Sequence, residues 1–216
     1  MKRLAEALSG AGLLCDPAVL PAFERFADLL NEWNQSVNLI SRKDPYTVIE
    51  RHFLDSAGLA VVLDLPSGCC VMDLGSGAGF PGLPLALLRP DVHFTLVESR
   101  AKKTAFHRAV IDALGLENVV TLAERVESLP AETGPFDWVV SRAVADLDQL
   151  AKWCRHLIRR PGGCMAVLKG PDLDEEVKRL ARRSDAWGID GWDIEPYQPF
   201  GQIRDKESQL VTVRWS

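Results

Sequence analysis

Along the first 65 residues the apolar side chains recur with helical periodicity, and from Cys69 onward the period changes. Leu4, Leu8 and Ala11 fall on one face, and after the breaker Asp16-Pro17 the set Leu20, Phe23, Ala27 and Leu30 repeats at the same spacing. A third helix is predicted from about Pro45 to Leu63. Beyond Cys69, short apolar runs alternate with amphipathic stretches, the sequence sign of a parallel sheet covered by helices on both faces. The runs predict strands near 69–74, 92–98, 119–123, 136–141 and 164–168, with helices near 82–88, 100–114, 146–159 and 172–185. Ile189 to Glu195 and Gln209 to Trp215 close the chain as two extended runs joined through Pro196, Pro199 and Gly201, which reads as an antiparallel hairpin. The expected fold class is α/β, a mostly parallel seven-stranded sheet. Residues 1–65 form a helical extension, and residues 66–216 one compact unit.

Composition narrows the class without naming a chemistry. With 216 residues, 47% of them hydrophobic and 25% charged, the chain can bury one sizeable core. No stretch approaches 18 uncharged apolar residues, and the opening Met1-Lys2-Arg3-Leu4-Ala5-Glu6 meets an acid before a signal-like apolar core develops, so a cytoplasmic protein is expected. Its five cysteines, Cys15, Cys69, Cys70, Cys154 and Cys164, form no C-x-x-C pair and stand at no ligand spacing from His52, His93, His107 or His156; free thiols and no metal are expected. A net charge of −5 and a pI near 5.4 give no global attraction to nucleic acid, so RNA binding requires a local basic face.

The chemistry begins at Cys70-Val71-Met72-Asp73-Leu74-Gly75-Ser76-Gly77-Ala78-Gly79-Phe80-Pro81-Gly82, where an apolar strand feeds a glycine turn and a helix start. Such a turn brings backbone N–H groups close to a ligand. Gly77-x-Gly79-x-x-Gly82 formally matches the dinucleotide pattern. Its register differs: the strand ends at Leu74 and the turn starts at Gly75, so Phe80 stands where the third glycine belongs. Asp73-x-Gly75-x-Gly77-x-Gly79 resembles instead the loop that S-adenosylmethionine-dependent methyltransferases carry after their first strand. One crossover later, the strand Val92 to Val97 ends in Glu98, whose carboxylate is suited to both ribose hydroxyls.

Over nearly its whole length the chain resembles the bacterial small-subunit ribosomal RNA methyltransferase G family, also called glucose-inhibited division protein B. The motifs run in order: Trp33-Asn34-x-x-Val37-Asn38-Leu39, Arg51-His52-Phe53-Leu54-Asp55-Ser56, the Asp73 to Gly82 loop, Glu98-Ser99-x-x-Lys102-Lys103, Arg125-Val126-Glu127, Ser141-Arg142-Ala143 and Leu168-Lys169-Gly170. The resemblance implies a class I methyltransferase fold, S-adenosylmethionine as cofactor, and methylation of guanine N7 in the 530 loop of 16S ribosomal RNA, free or within the 30S subunit or an assembly intermediate. It implies cofactor contacts at Gly75, Phe80, Val126, Glu127 and Arg142. Glu124 departs from the family, whose members often have a small or polar residue there.

The residues read in their own right complete the expected site. Val126 and Glu127 follow the third strand, where a backbone N–H and a carboxylate match the adenine edge. Arg142 ends the fourth strand, either holding the methionine carboxylate or orienting the target base, or else pairing structurally with Asp146 or Glu127. Where other nucleobase methyltransferases need a proline-rich turn or a cysteine, this chain has Ser141-Arg142-Ala143. Guanine N7 carries a lone pair and no hydrogen, so positioning suffices. Arg100, Lys102 and Lys103 crowd the start of a helix, against its dipole, which suits an anionic partner. Lys169 is expected to touch RNA, whereas Lys178 to Arg183, interleaved with Glu175 and Glu176, read as a solvated face. His52 and Asp55, one helical turn apart, either line the transfer pocket or pair on the helix surface. A small-molecule methyltransferase, a dehydrogenase and a non-catalytic assembly factor are the alternatives of other classes.

Overall fold

The computed structural model describes residues 1–14, 16–41, 45–142, 144–201 and 208–216, with 45–48 described as helix backbone only; Cys15 and Ala143 lie outside the described residues. Three helices come first, α1 (Lys2–Gly10), α2 (Val19–Trp33) and α3 (Pro45–Val62). Strands and helices then alternate: β1 (Cys70–Leu74), α4 (Gly82–Leu88), β2 (His93–Val97), α5 (Ala101–Leu114), β3 (Val119–Leu122), β4 (Trp138–Arg142), α6 (Leu147–Cys154), β5 (Cys164–Lys169), α7 (Asp174–Ala181), α8 (Ser184–Trp187), β6 (Ile189–Pro196) and β7 (Gln209–Trp215). The seven-stranded sheet has the order β3-β2-β1-β4-β5-β7-β6. Every pairing among β1 to β5 is parallel, and β7 runs antiparallel to both β5 and β6.

Alternation along the strands assigns each side chain to one of two cores. Val71, Phe94, Leu96 and Val140 face the N-terminal helices, where Leu4, Leu8, Phe23, Phe26, Leu30 and Phe53 pack with Leu83 of α4 and Phe106 of α5. Met72, Leu74, Val139, Met165 and Val167 face α6 and α7, meeting Leu150, Cys154 and Leu180. The helical extension therefore shares its apolar core with one face of the sheet. The family-type segment Trp33 to Leu39 has a structural job: Asn34 ends α2, and its Oδ1 accepts the N–H groups of Leu39 (2.9 Å) and Ile40 (3.0 Å), closing the turn under Trp33.

Three details differ from the expected pattern. Ala11 lies exposed past the end of α1, and Leu20 is only half buried, leaving Phe26 and Leu29 to complete the inner face of α2. The helix expected over 146–159 stops at Cys154, because Ile158 turns back to bridge Phe136 beside β4. The one expected over 172–185 divides at Arg182-Arg183 into α7 and α8.

Candidate functional site

The order of the strands reverses at β1, which β2 flanks on one side and β4 on the other. Loops leaving the carboxyl ends of β1 and β4 part there and open a crevice, the usual ligand position of an open α/β sheet. Ser141 Oγ donates to the carbonyl of Leu74 (2.9 Å) and fixes the two strand ends together. The crevice is a cleft of about 460 Å³, lined by Leu74, Gly75, Gly77, Val97, Glu98, Ser99, Arg100, Lys103, Glu124, Arg125, Val126, Glu127, Arg142, Val144 and Trp153.

The glycine loop is shaped from both ends. Gly75 N–H donates to Val97 C=O (2.9 Å), so the turn starts stitched to the end of β2. Asp73 is fully buried, and its Oδ2 accepts the N–H of Gly82 (2.7 Å) at the start of α4. Gly82 must be glycine for that approach, since a Cβ would lie 2.7 Å from the same oxygen and 2.9 Å from Leu96 Cδ1. Burial, reinforced by the nearby Glu98 charge, raises Asp73 to about 7, against the pull of the Gly82 N–H and of Arg142. Gly77 faces the cleft with φ +60°, and an added Cβ would meet nothing closer than 3.9 Å. The space beside it belongs to the cleft, which Gly77 lines.

Glu98 is the keystone between the first two loops. Its Oε2 accepts the Gly77 N–H (3.1 Å) and its Oε1 the Arg100 N–H (2.9 Å), yet it still lines the cleft. A carboxylate has about four lone-pair sites, so two remain for hydroxyls. Val126 and Glu127 form a short 3₁₀ turn on the far wall, with Glu127 3.7 Å from Arg125. Trp153 of α6 adds an aromatic wall that the sequence did not single out.

Arg142 reaches the cleft from the end of β4, and neither Asp146 nor Glu127 is its partner. Asp55 Oδ2 stands 3.5 Å from its Nη1, and the guanidinium lies 5.3 Å from the centre of the Phe80 ring. Asp146 pairs instead with Arg179 (2.7 Å). Phe80 itself is buried, its ring 5.0 Å from His52, 5.6 Å from Phe26 and 5.7 Å from Phe53. Asp73, Gly79, Phe80 and His52 thus stand behind the cleft lining, shaping the loop and the seat of Arg142. Gly79 accepts the Leu83 N–H (2.8 Å) and begins the packing of α4.

The cationic residues separate into two groups. Arg100 and Lys103 line the cleft at the start of α5, with Lys102 exposed beside them. Lys169 is part-buried in a local network: its Nζ lies 2.6 Å from Glu176 Oε2 and 2.6 Å from the Ala145 carbonyl, with the side chain 10% exposed. Lys178 and Arg179 pair with Glu175 and with Asp146 and Asp148, as a solvated face does.

His107, which the sequence reading passed over, stands behind the glycine loop. Fully buried on α5, it lies 2.9 Å from the Gly77 carbonyl and 3.0 Å from Thr121 Oγ1, and burial lowers it to about 4. Its helical spacing from Thr104 and Val110 marks it as inward-facing, and only the fold reveals the glycine loop beyond it. Cys69 and Cys154 are buried free thiols, pushed up by burial to about 11 and about 12. Among the described residues no group of three or more His, Cys, Asp or Glu side chains is placed to hold a metal ion.

Solved structures of methyltransferases share this architecture. Magnesium protoporphyrin IX methyltransferase from Synechocystis PCC 6803, with bound S-adenosylmethionine, superposes with a TM-score of 0.59 at 15% identity, covering 88% of this chain and 97% of that one. TYW2 of M. jannaschii, in complex with S-adenosylmethionine, gives 0.59 at 11% identity over 77% of each chain. The fold is that of the class I S-adenosylmethionine-dependent methyltransferases. Sequence similarity is more specific: the family described as rRNA small subunit methyltransferase G matches residues 19–191. The ribosomal RNA small subunit methyltransferase G of Pectobacterium carotovorum is 42% identical over 173 residues, 80% of this chain and 82% of that protein. The protein of the same name from Serratia proteamaculans is 41% identical over 179 residues, 83% and 85% of the two chains. The chain belongs to the rRNA small subunit methyltransferase G family.

Proposed function

We propose that this protein uses S-adenosylmethionine to methylate N7 of a guanine in the 530 loop of 16S ribosomal RNA, acting in the cytoplasm on that RNA, free or within the small subunit or an assembly intermediate. The observation that carries this reading is Arg142 at the end of β4, in a cleft whose described lining contains neither cysteine nor histidine. A guanidinium stays charged and takes no proton, so it serves orientation and charge and not base catalysis. Among the lining carboxylates, Glu98 is engaged by two backbone N–H groups, Glu127 is beside Arg125, and Glu124 is exposed at the rim. An acceptor that needs no deprotonation, a ring nitrogen with an in-plane lone pair, suits such a lining.

The residues fit the cofactor. Gly77 leaves open space where any side chain would intrude, Glu98 offers two lone-pair sites to ribose hydroxyls, and Val126 with Trp153 gives an apolar wall for a base. When bound, S-adenosylmethionine would supply an electrophilic methyl group whose leaving group is its positively charged sulfur. The Gly75–Gly77 backbone and Glu98 bind, Val126 and Glu127 read the adenine edge, and Arg142 aligns the methionine carboxylate or the guanine. Arg100, Lys102 and Lys103 take RNA phosphates, a local cationic start of α5 on a chain of net charge −5. Alignment with water excluded is the main source of rate.

Incubating the protein with labelled S-adenosylmethionine and either naked 16S RNA or 30S subunits, followed by nucleoside analysis and primer extension, tests this. The expected product is 7-methylguanosine at one position of the 530 loop. A methyl on an exocyclic amine, a ribose or another helix overturns the assignment.

A further inference from the structure

One carboxylate of the N-terminal helices stands beside a cleft residue. Asp55 on α3 has a side chain only 6% exposed, and its Oδ2 stands 3.5 Å from Nη1 of Arg142, itself 14% exposed. The ring of Phe80 lies 5.3 Å from the guanidinium. A ring face attracts a cation without fixing its direction, whereas the Asp55 carboxylate, at ion-pair distance from Nη1, draws the guanidinium toward α3.

Asp55 is in turn held where it is. The Tyr197 hydroxyl donates to its backbone carbonyl at 2.5 Å, from the segment that follows β6. Three residues along α3, Gly58 lets Pro199 close onto the helix, since a Cβ there would overlap Pro199 Cγ and the Tyr197 hydroxyl. The carboxylate therefore sits on a helix whose backbone is pinned against the C-terminal hairpin.

The geometry points to Asp55 as a positioning residue for methyl transfer: it sets the orientation of the Arg142 guanidinium at the end of β4, and through it the N-terminal helical extension governs the rate. This rests on the reading that Arg142 serves the transfer site. Asp55 acts through Arg142 and touches neither reacting atom. The pairing also accounts for a cation being tolerated at such burial, where an unpaired guanidinium is strongly disfavoured.

The test is a double-mutant cycle on the full-length protein, using single-turnover transfer to 30S subunits at saturating S-adenosylmethionine, with cofactor affinity and melting temperature measured in parallel. Asp55→Asn keeps the size and loses the charge, and it is expected to slow transfer tenfold or more. Arg142→Ala is expected to slow transfer at least as much, and the double variant to be no slower than Arg142→Ala alone. Asp55→Glu, which restores a carboxylate on a longer stem, recovers part of the Asn loss. If Asp55→Asn does not fold, Asp55→Glu carries the test by itself: a changed rate that vanishes on the Arg142→Ala background supports the positioning role. Equal slowing by Asp55→Asn with and without Arg142, or an unchanged rate while Arg142→Ala is slow, overturns the role of Asp55 and leaves the proposed function standing. An Arg142→Ala enzyme that transfers at the wild-type rate overturns the placement of Arg142 and the role of Asp55 with it.

Discussion

Nε2 of His107 lies 2.9 Å from the carbonyl oxygen of Gly77, inside the turn that borders the cleft. A carbonyl only accepts, so Nε2 carries the proton, and Nδ1 accepts from the Thr121 hydroxyl 3.0 Å away. Gly77 is thereby gripped twice, its N–H by Glu98 and its C=O by His107, and α5 and β3 hold the loop that the sequence places after β1. A loop preorganised in this way binds without first being ordered.

Replacing His107 by leucine keeps an apolar volume and removes the grip on the carbonyl. One buried hydrogen bond is worth about 1 kcal/mol net, so affinity for S-adenosylmethionine is expected to fall five- to tenfold. Calorimetric titration of the purified variant measures it. An affinity equal to that of the wild type, in a folded variant, makes His107 a packing residue only.

The same histidine and Asp73 give opposite pH dependences. His107 is lowered to about 4 by burial, so below 6.5 the unfolded chain binds a proton that the folded one refuses, and this group's effect is to lower stability as pH falls toward 4. Asp73 is raised to about 7 by burial, so above 3.8 the folded chain keeps a proton that the unfolded one releases, and stability from this group is lost as pH rises toward 7. Between about 4 and 6.5 the two slopes, each about 1.4 kcal/mol per pH unit, cancel. Removing one partner uncovers the other. Relative to wild type, His107→Gln is expected to lose stability as pH rises from 4.5 to 6.5, and Asp73→Asn to gain it. Urea unfolding at four pH values resolves the slopes, and curves parallel to the wild type contradict both assignments.

Gly77 gives a sharper test of where the cofactor lies. At φ +60° a side chain is strained by about 1 kcal/mol, but its Cβ meets nothing closer than 3.9 Å in the protein. Gly77→Val is therefore expected to fold, melting a few degrees lower, and to lose S-adenosylmethionine binding by filling the cleft beside Glu98. Retained affinity moves the cofactor away from this loop.

What could be read from the sequence was whatever a short window determines. Hydrophobic period located the strands, and glycine spacing with an acid at the next strand end located Gly75, Gly77 and Glu98 in one cleft. What escaped depended on side chains far apart in the chain. Arg142 sits beside Asp55 because α3 crosses the end of β4, a juxtaposition that no local pattern near Arg142 announces. Phe80 stands in a glycine-like register yet turns inward, since α2 and α3 bring Phe26, Phe53 and His52 around it. Basic residues were legible as charges, but which of them were already paired required the helices to be placed.

Lys169 shows that difference most directly. At the end of β5 it reads as an RNA contact, yet its ammonium lies 2.6 Å from Glu176 and 2.6 Å from the Ala145 carbonyl. Glu176 Oε2 also accepts the Leu147 N–H (2.9 Å) at the start of α6, so one ion pair ties the end of β5 to α6 and α7. Side-chain exposures of 10% and 17% leave little solvent to screen it. Lys169→Ala leaves the Glu176 carboxylate with the Leu147 N–H alone and is expected to cost about 2 kcal/mol of stability, less than breaking a fully buried pair. Affinity for RNA and its salt slope should stay as in the wild type, whereas loss of a phosphate contact would lower the slope by about one. Urea unfolding and RNA binding across a salt series separate the two. A salt slope reduced by about one with stability unchanged would return Lys169 to the RNA interface, and a double cycle with Glu176→Gln showing strong coupling in stability would hold it in the fold.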